Sequence, residues 1–164
     1  MTSHETRHCV ISPGTFDEVL DVAKRVPELL PDHVSRQAFE ERFKDRMPHL
    51  LVARHDEQIV GFKMGYVLSN DTFYSWLGGV LPSARHQGVA SALMEAQENW
   101  VQQAGYNRIE VKSMNRYPAM IGMMLRRGYQ IVGIENAEEG PETLKILFRK
   151  DLKGPEFTPP TDGQ

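Results

Sequence analysis

The sequence predicts a mixed fold of the α/β (α+β) class, with about seven strands and about four helices. Runs with the apolar spacing of strands alternate with runs spaced like amphipathic helices over most of the 164 residues. Two helical runs stop at a glycine, Gly105 and Gly128, which is the residue that most favours a helix end. The length suits one domain with a substantial core, which we expect at residues 1–150, followed by a flexible Pro- and Gly-rich tail at 151–164.

The first half of the chain carries a strand, two helices and a hairpin. Ser35 is a suitable N-cap for the second helix, whose apolar positions continue to Met47. In the second strand of the hairpin, four larger apolar residues alternate and should share one face: Val60, Phe62, Met64 and Tyr66. The predicted bounds are a strand at 7–12, helices from Phe16 to about Pro27 and from Ser35 to Met47, and strands at 49–55 and 58–69 around a turn at 56–57.

The second half alternates strands and helices before a final strand pair. A strand at 72–81 leads through a basic loop into a helix at 89–104, whose apolar residues recur at helical spacing. The next helix should begin at Tyr117 or Pro118, because proline suits a first helical turn, and should close at Gly128. The remaining predicted strands lie at 106–112, 129–135 and 143–150.

Composition excludes several classes of protein. There are 19 basic and 22 acidic residues, a net charge of −3 without a basic tract, which argues against a dedicated nucleic-acid binder. A single cysteine, Cys9, allows no internal disulfide and fits a reducing compartment. No apolar run approaches the roughly 20 residues of a membrane span. The six histidines show no metal-ligand spacing. We therefore expect a cytoplasmic protein without a metal or a membrane anchor.

The loop at 85–90 carries the clearest chemical signal. It joins a predicted strand to a helix, and the first N–H groups of a helix have no internal partners and attract phosphate. Gly88 allows close approach of a ligand, Ala90 keeps the next turn small, and Arg85 adds a planar charged donor. The pattern predicts an anion site, with an ordinary junction between a loop and a helix as the alternative.

A double glycine, Gly78-Gly79, lies inside the strand that precedes this loop. Glycine weakens a strand, and its presence there often marks a bulge or the close approach of a ligand. Tight packing against a neighbouring helix is the alternative explanation.

The order of elements, with Val80-Leu81-Pro82 followed by Arg85-x-x-Gly88-x-Ala90 and with Gly128-Tyr129 closing a later helix, resembles the GNAT superfamily of acetyl-CoA-dependent N-acetyltransferases. The resemblance covers residues 7–150. It implies a mixed, strongly twisted sheet that splays open between the fourth and fifth strands, with the pantetheine arm of the cofactor in the gap. Dimers are common in such folds, so a homodimer is an open expectation.

The resemblance also implies which residues contact acetyl-CoA. Asn115 matches an asparagine that contacts the cofactor arm, although an Asx turn capping the next helix explains it equally well. The double glycine is implied to pair its main chain with the pantetheine amides, and the helix start to hold the pyrophosphate. The implied cofactor-binding residues are Gly78, Gly79, Val80, Arg85, His86, Gln87, Gly88, Val89, Ala90, Ser91 and Asn115.

Catalysis requires removal of a proton from the attacking amine. Glu110 lies where several family members carry a catalytic glutamate, and it is our candidate base; a surface ion pair with Arg108 or Lys112 is the alternative. Many members place a tyrosine four residues before the closing Gly-aromatic pair to protonate the leaving thiolate. That position is Met124 here, so Tyr117 is the candidate substitute acid, unless water serves or the thiolate leaves unassisted.

The function that the sequence favours is direct transfer of an acetyl group from acetyl-CoA to a primary amine of a small molecule or a peptide. The first alternative is a non-catalytic regulator of the same fold that binds acyl-CoA, suggested by Met124. The second is a nucleotide-binding interaction module. Gly78-Gly79-Val80 separates these hypotheses, because a pantetheine arm would use that main chain and a nucleotide would not.

Overall fold

A computed structural model describes residues 8–29, 31–135 and 139–152 of the chain. These residues form four α-helices and seven strands, as predicted, in one mixed sheet of order β1-β2-β3-β4-β5-β7-β6 in which β4 and β5 run parallel. The helices are α1 (Phe16–Ala23), α2 (Arg36–Phe43), α3 (Val89–Gln103) and α4 (Pro118–Arg126). The strands are β1 (Cys9–Pro13), β2 (Pro48–His55), β3 (Gln58–Val67), β4 (Thr72–Val80), β5 (Arg108–Met114), β6 (Gln130–Glu135) and β7 (Lys145–Asp151).

The chain divides into two compact units. The first holds the residues up to Leu68 together with Tyr74–Gln97, and the second holds Ser69–Phe73 and the residues from Glu98 onward. Strand β4 and helix α3 contribute to both. The prediction of a single domain at 1–150 and the predicted splay between β4 and β5 stay predictions.

In the first unit, α1 and α2 pack on β2, β3 and β4 through an apolar core. Thr15 and Glu18 form a capping box that starts α1, and the Ser35 hydroxyl accepts the N–H of Ala38 to start α2. Phe39 and Phe62 are among the largest fully buried side chains of this core. Cys9 is half-buried on β1, where it packs against the group that holds Val60, and burial raises the pKa of its thiol.

Both early helices are shorter than the sequence predicts. α1 ends at Ala23, because the N–H groups of Arg25 and Val26 bond three residues back in a tighter turn. α2 ends at Phe43, since Lys44 leaves the helical region with ψ 128° and Asp45 is left-handed with φ 59°, in a turn closed by the N–H of Arg46. The prediction that Met47 belongs to this helix is therefore wrong, and its side chain is 81% exposed.

The β2–β3 hairpin turns at Asp56 with φ 54°, as predicted, but its second strand is not regular. Ala53 pairs with Gly61 and Arg54 with Ile59, so Val60 is an extra residue in β3. This bulge turns Val60 toward Ala84 and Val89, away from the core that holds Phe62. The prediction that Val60 shares a face with Phe62 is wrong for this reason.

In the second unit, β5, β7 and β6 pair antiparallel, and Gly105 and Gly128 end their helices with φ of 93° and 89°, as predicted. The strand predicted at 106–112 begins two residues later, at Arg108. The N–H groups of Asn107 and Arg108 both donate to the carbonyl of Asp71. A short 3₁₀ turn replaces the start of the strand predicted at 143–150. Of the predicted tail, only Asp151, which ends β7, and Leu152, which is buried, fall within the described residues.

The core of the second unit contains a buried carboxylate. Glu98 on α3, 6% exposed, accepts bonds of 2.9 and 3.1 Å from the guanidinium of Arg127 and of 3.0 and 3.4 Å from Nζ of Lys150. A buried charge must be compensated in this way, because leaving water is costly for an ion. The cluster ties α3 to the end of α4 and to β7.

Candidate active site

The loop that the sequence singled out is fixed to the first unit at its start. The N–H of Leu81 donates to the carbonyl of Val60 at 2.8 Å, directly at the β3 bulge. A 3₁₀ turn at Pro82–Ala84 follows, and the buried Ala84 closes it with a 2.9 Å bond to the Leu81 carbonyl. The chain therefore leaves β4 in a defined direction.

Two left-handed residues then turn the main chain into α3. His86 has φ 60° and Gly88 has φ 79°, while a Cβ placed on Gly88 would meet open space. Residues 86–88 are exposed, and the buried Val89 anchors the first turn of the helix. Within the described part of the chain, no carbonyl accepts the main-chain N–H groups of residues 88–90, and Ala92 donates to the Gly88 carbonyl at 3.0 Å. The helix start thus presents solvent-facing donors with a partial positive charge.

Side chains of the loop brace it from within. The Arg85 guanidinium pairs with the Glu28 carboxylate, and its Nε donates to the Val80 carbonyl at 3.3 Å. Hydrogen bonding from Arg85 holds the pKa of Glu28 below its usual value. Gln87 Nε2 donates to the Ser83 carbonyl at 3.3 Å. Arg85, predicted as an anion donor, is therefore an ion-pair partner in this structure, and it keeps the loop close to Val80.

The double glycine is enclosed on both faces of β4. A Cβ on Gly78 would lie 3.0 Å from Cδ of Lys63 and 3.2 Å from the Phe62 carbonyl oxygen. A Cβ on Gly79 would lie 3.1 Å from Val26 and 3.2 Å from the Phe62 ring. An alanine at either position would therefore require its neighbours to shift by a few tenths of an ångström, so close packing is one reason for glycine here. Any role of this pair in binding rests on its main-chain atoms.

The directions of the side chains along β4 indicate a bulge. The Trp76 ring packs edge-on against Phe39 and Phe43 of α2, and a Cβ on Gly79 would face that same core. Residues three apart lie on opposite faces of a regular strand, so one residue between them is inserted. Leu77 is that residue, because it packs against the core beside Trp76. The inserted residue is left out of the regular pairing, and it directly precedes Gly78-Gly79.

In the second unit, Glu110 is paired, but with a residue that sequence reasoning missed. Arg149, directly opposite on β7, donates from Nε at 3.2 Å and from a terminal nitrogen at 3.0 Å, both to Oε1 of Glu110. The Glu110 side chain is 14% exposed. Arg108 and Lys112, the partners considered from the sequence, contact Asp151 and Glu135 instead. This ion pair depends on the register between β5 and β7, which are far apart in the chain. No local pattern in the sequence predicts it.

Asn115 and Tyr117 follow β5 at the start of α4. The Asn115 amide donates to the Pro141 carbonyl at 2.9 Å, so it ties this segment to the loop before β7. It does not cap α4, whose N-cap is Tyr117. The Tyr117 ring is half-buried and lies 5.9 Å from the Arg116 guanidinium. The structure thus excludes the capping explanation of Asn115.

Comparison with known proteins decides the family. The sequence profile of the Acetyltransferase (GNAT) family matches residues 16–129, well over half of the chain. The chain belongs to this GNAT family. A search of curated proteins by sequence found no match.

Solved GNAT-like structures share the fold at low sequence identity. The ribosomal-protein-S18-alanine N-acetyltransferase from Escherichia coli has a TM-score of 0.76 and 14% identity over 92% of this chain and 98% of its own. Ard1 from Thermoplasma volcanium has a TM-score of 0.75 and 16% identity over 88% and 98%. A GNAT family acetyltransferase from Elizabethkingia anophelis with acetyl-CoA bound has a TM-score of 0.68 and 15% identity over 88% and 98%. At these identities the likeness shows the fold alone.

In this GNAT protein the position of the implied acid is closed. Met124 is fully buried, so no proton donor stands there and no solvent reaches it. The nearby Tyr129 is also buried, and burial together with the charge of Glu98 raises the pKa of its hydroxyl far above the usual value. Neither buried residue is accessible as a proton donor in this structure.

Two further properties of the GNAT chain bear on cofactors and location. Among the residues that the structure describes, no three His, Cys, Asp or Glu side chains lie together as a metal site would need. In the same residues, no helix has the length and apolar character to cross a bilayer.

Proposed function

We propose that this GNAT acetyltransferase moves an acetyl group directly from acetyl-CoA to a primary amine. One observation carries the proposal. The main-chain N–H groups of residues 88–90 lie at a helix start beside the exposed loop 86–88, and no carbonyl in the described part of the chain accepts them, the arrangement that a diphosphate requires. The residues fit acetyl-CoA, since Gly88 leaves its approach open. The open donors and the family membership support acetyl-CoA as co-substrate.

The chain's own groups would act in three places. The main chain of Gly78, Gly79 and Val80 would pair with the pantetheine arm, directly after the inserted Leu77. The N–H of Val80 would donate to the oxyanion that forms at the thioester carbonyl. The hydrogen bond from Arg85 to the Val80 carbonyl supports this role, because it helps to fix the main chain at Val80. A donor that is already in place before the reaction stabilises the oxyanion without a further change of conformation.

We assign the general base to Glu110, with Oε2 as the accepting oxygen. Both bonds from Arg149 end on Oε1, and in the part of the chain that the structure describes no donor is bound to Oε2. Glu110→Gln should lower kcat at neutral pH while acetyl-CoA affinity stays the same, because the amide cannot take a proton. Arg149→Gln is the matched control: it removes the pair but keeps the carboxylate. Unchanged turnover of Glu110→Gln from pH 6 to 9 removes Glu110 from the role.

We assign the thiolate-protonating role to Tyr117 or to water, since Met124 is closed. The buried methionine also favours the second candidate function, a regulator that binds acyl-CoA without turnover. The two functions separate in one experiment. Thiol release is measured with acetyl-CoA and a panel of polyamines, amino acids, aminoglycosides and peptides. Release in the presence of any amine supports the transferase, and binding of acetyl-CoA without release supports the regulator. Stabilisation by ATP but not by CoA compounds would support a nucleotide module.

The remaining expectations concern location and assembly. We propose a cytoplasmic protein that acts on a small-molecule or peptide amine without nucleic acid or membrane. We also propose a homodimer, for which strand β6 at the end of the sheet order is the supporting feature, because Ile131, Val132 and Ile134 are all exposed there. Sedimentation of the wild type and of an Ile131→Lys variant tests it, and a wild-type monomer at micromolar concentration contradicts it.

A further inference from the structure

Two arginines of the first unit differ from the others described in that unit. The arginines at 25, 36, 54 and 85 each pair with a carboxylate. Arg42 and Arg46 stack on aromatic rings instead: Cζ of Arg42 lies 4.7 Å from the centre of the Trp76 ring, and Cζ of Arg46 lies 4.3 Å from that of Tyr66. Within the described ranges, neither forms an ion pair. A stacked guanidinium uses its face and keeps its in-plane N–H donors for another partner.

The rings that hold the two arginines belong to one aromatic cluster. Phe43 lies between them, with ring centres 5.6 Å from Trp76 and 5.9 Å from Tyr66, edge-on to both. Phe43 and Tyr66 are buried, while Arg42 and Arg46 are exposed above them. The cluster therefore presents two oriented guanidinium groups to solvent from a rigid base, at low entropic cost for binding.

The cluster lies close to the proposed reaction centre along the same strand. Trp76 is two residues before Gly78 in β4. A group bound by Arg42, which stacks on Trp76, would therefore adjoin the main chain that is proposed to hold the thioester. A small amine whose other end carries an anion could reach both.

The charge of this segment is balanced, so net charge does not decide the ligand. Glu40, Glu41 and Asp45 are exposed beside Arg42 and Arg46, and Lys44 is exposed as well. The geometry of the N–H donors of Arg42 and Arg46 indicates the ligand instead, because a guanidinium group can bind a carboxylate through two parallel hydrogen bonds. A cationic acceptor such as a polyamine would meet these donors unfavourably.

We propose that Arg42 and Arg46 bind a carboxylate of the acceptor, and that the enzyme acetylates small amines that carry one, such as free amino acids or short peptides. This inference rests on the proposed function. It adds an acceptor class and names two specificity-determining residues.

The test compares acceptors that differ only in the carboxylate. Each member of a dipeptide set is assayed with acetyl-CoA as the free acid and as the C-terminal amide. We expect kcat/KM to favour the free acid about tenfold, the worth of a charge-assisted hydrogen-bonded pair at an exposed site. Arg42→Gln and Arg46→Gln should bring the ratio toward one. Arg36→Gln is the matched control on the same helix, since Arg36 pairs with Asp17, and it should keep the wild-type ratio.

Several results would overturn the inference. The inference is overturned if kcat/KM of the wild type for the amide equals or exceeds that for the free acid. It is also overturned if Arg36→Gln abolishes the preference for the free acid. A preference for phosphoethanolamine over ethanolamine without a preference for free-acid dipeptides would assign the arginines to phosphate and overturn the carboxylate. Melting temperatures check that each variant folds.

A failure of the proposed function is distinguishable from a failure of this inference. If acetyl-CoA binds but no acceptor is turned over, calorimetry with the same dipeptides in the presence of CoA decides the inference. Binding of the free acid that the double variant of Arg42 and Arg46 loses supports the carboxylate site. Equal binding of acid and amide overturns it.

Discussion

Replacing Gly88 with alanine separates the cost of backbone strain from the loss of a ligand contact. Gly88 and Gly105 lie at opposite ends of α3 with φ of 79° and 93°, and a Cβ on either would meet nothing within 4 Å. Gly105→Ala is therefore a matched control. Each substitution forces a side chain into the left-handed region at about 1–2 kcal/mol. For a chain of 164 residues, both should lower the melting temperature of the free protein by roughly 2–8 °C.

Of the two substitutions, only Gly88→Ala should weaken the binding of acetyl-CoA. At 100 times its dissociation constant, the ligand stabilises the wild type by about 2.7 kcal/mol, a rise in melting temperature of roughly 5–11 °C. Distortion of one charge-assisted bond at the helix start raises the dissociation constant by about 10- to 100-fold. The same ligand concentration then contributes only about 1.4 to 0.4 kcal/mol, or roughly 1–6 °C.

The assay is thermal unfolding of three proteins with and without acetyl-CoA at one fixed concentration. The Gly105→Ala protein should melt lower but keep the full ligand-induced rise. The reasoning about the loop is refuted if Gly88→Ala keeps that full rise, or if Gly105→Ala loses as much of it.

Two further predictions concern stability. Burial lowers the pKa of His49 to about 4, so between pH 6.5 and 4 the unfolded chain binds a proton that the folded chain does not. The free energy of unfolding should therefore fall by up to about 3 kcal/mol as pH drops through this range. In urea titrations at several pH values, His49→Asn should lack this dependence, whereas His33→Asn, at an exposed position, should retain it. Glu98→Gln leaves the cations of Arg127 and Lys150 without their carboxylate and should cost about 3 kcal/mol. A loss no larger than that of the exposed control Asp21→Asn would show that the cluster is not stabilising.

The sequence predicts most of this fold, because its strongest signals are local. Apolar spacing located α3, and glycines that need positive φ marked its end and that of α4. Helix lengths were less well predicted, since a turn at Lys44 and the left-handed Asp45 ended α2 where the apolar pattern continued to Met47. The predicted face was wrong for Val60, because a bulge reverses the side-chain direction on one side of it. The alternation of apolar residues in the sequence does not reveal where such a bulge lies.

The candidate site divides in the same way. The loop at 85–90 is contiguous, so its turn chemistry was legible from residue types alone. The ion-pair partners of the site's side chains could not be predicted, since Glu28 is 57 residues from Arg85 and Arg149 is 39 residues from Glu110. Such pairs depend on strand register and helix placement, which a single sequence does not encode locally.

The extra residue at Leu77 changes which positions of β4 face the core after it. Before Leu77, the even-numbered Trp76 faces the core that holds Phe43; after it, the odd-numbered Gly79 faces the same core at Val26 and Phe62, while Val80 packs against the group that holds Val89. Deleting Leu77 would restore regular alternation from Trp76 to Val80, so the flanking side chains would keep their faces. What the deletion would remove is the local bend and extra twist that a bulge introduces just before the double glycine.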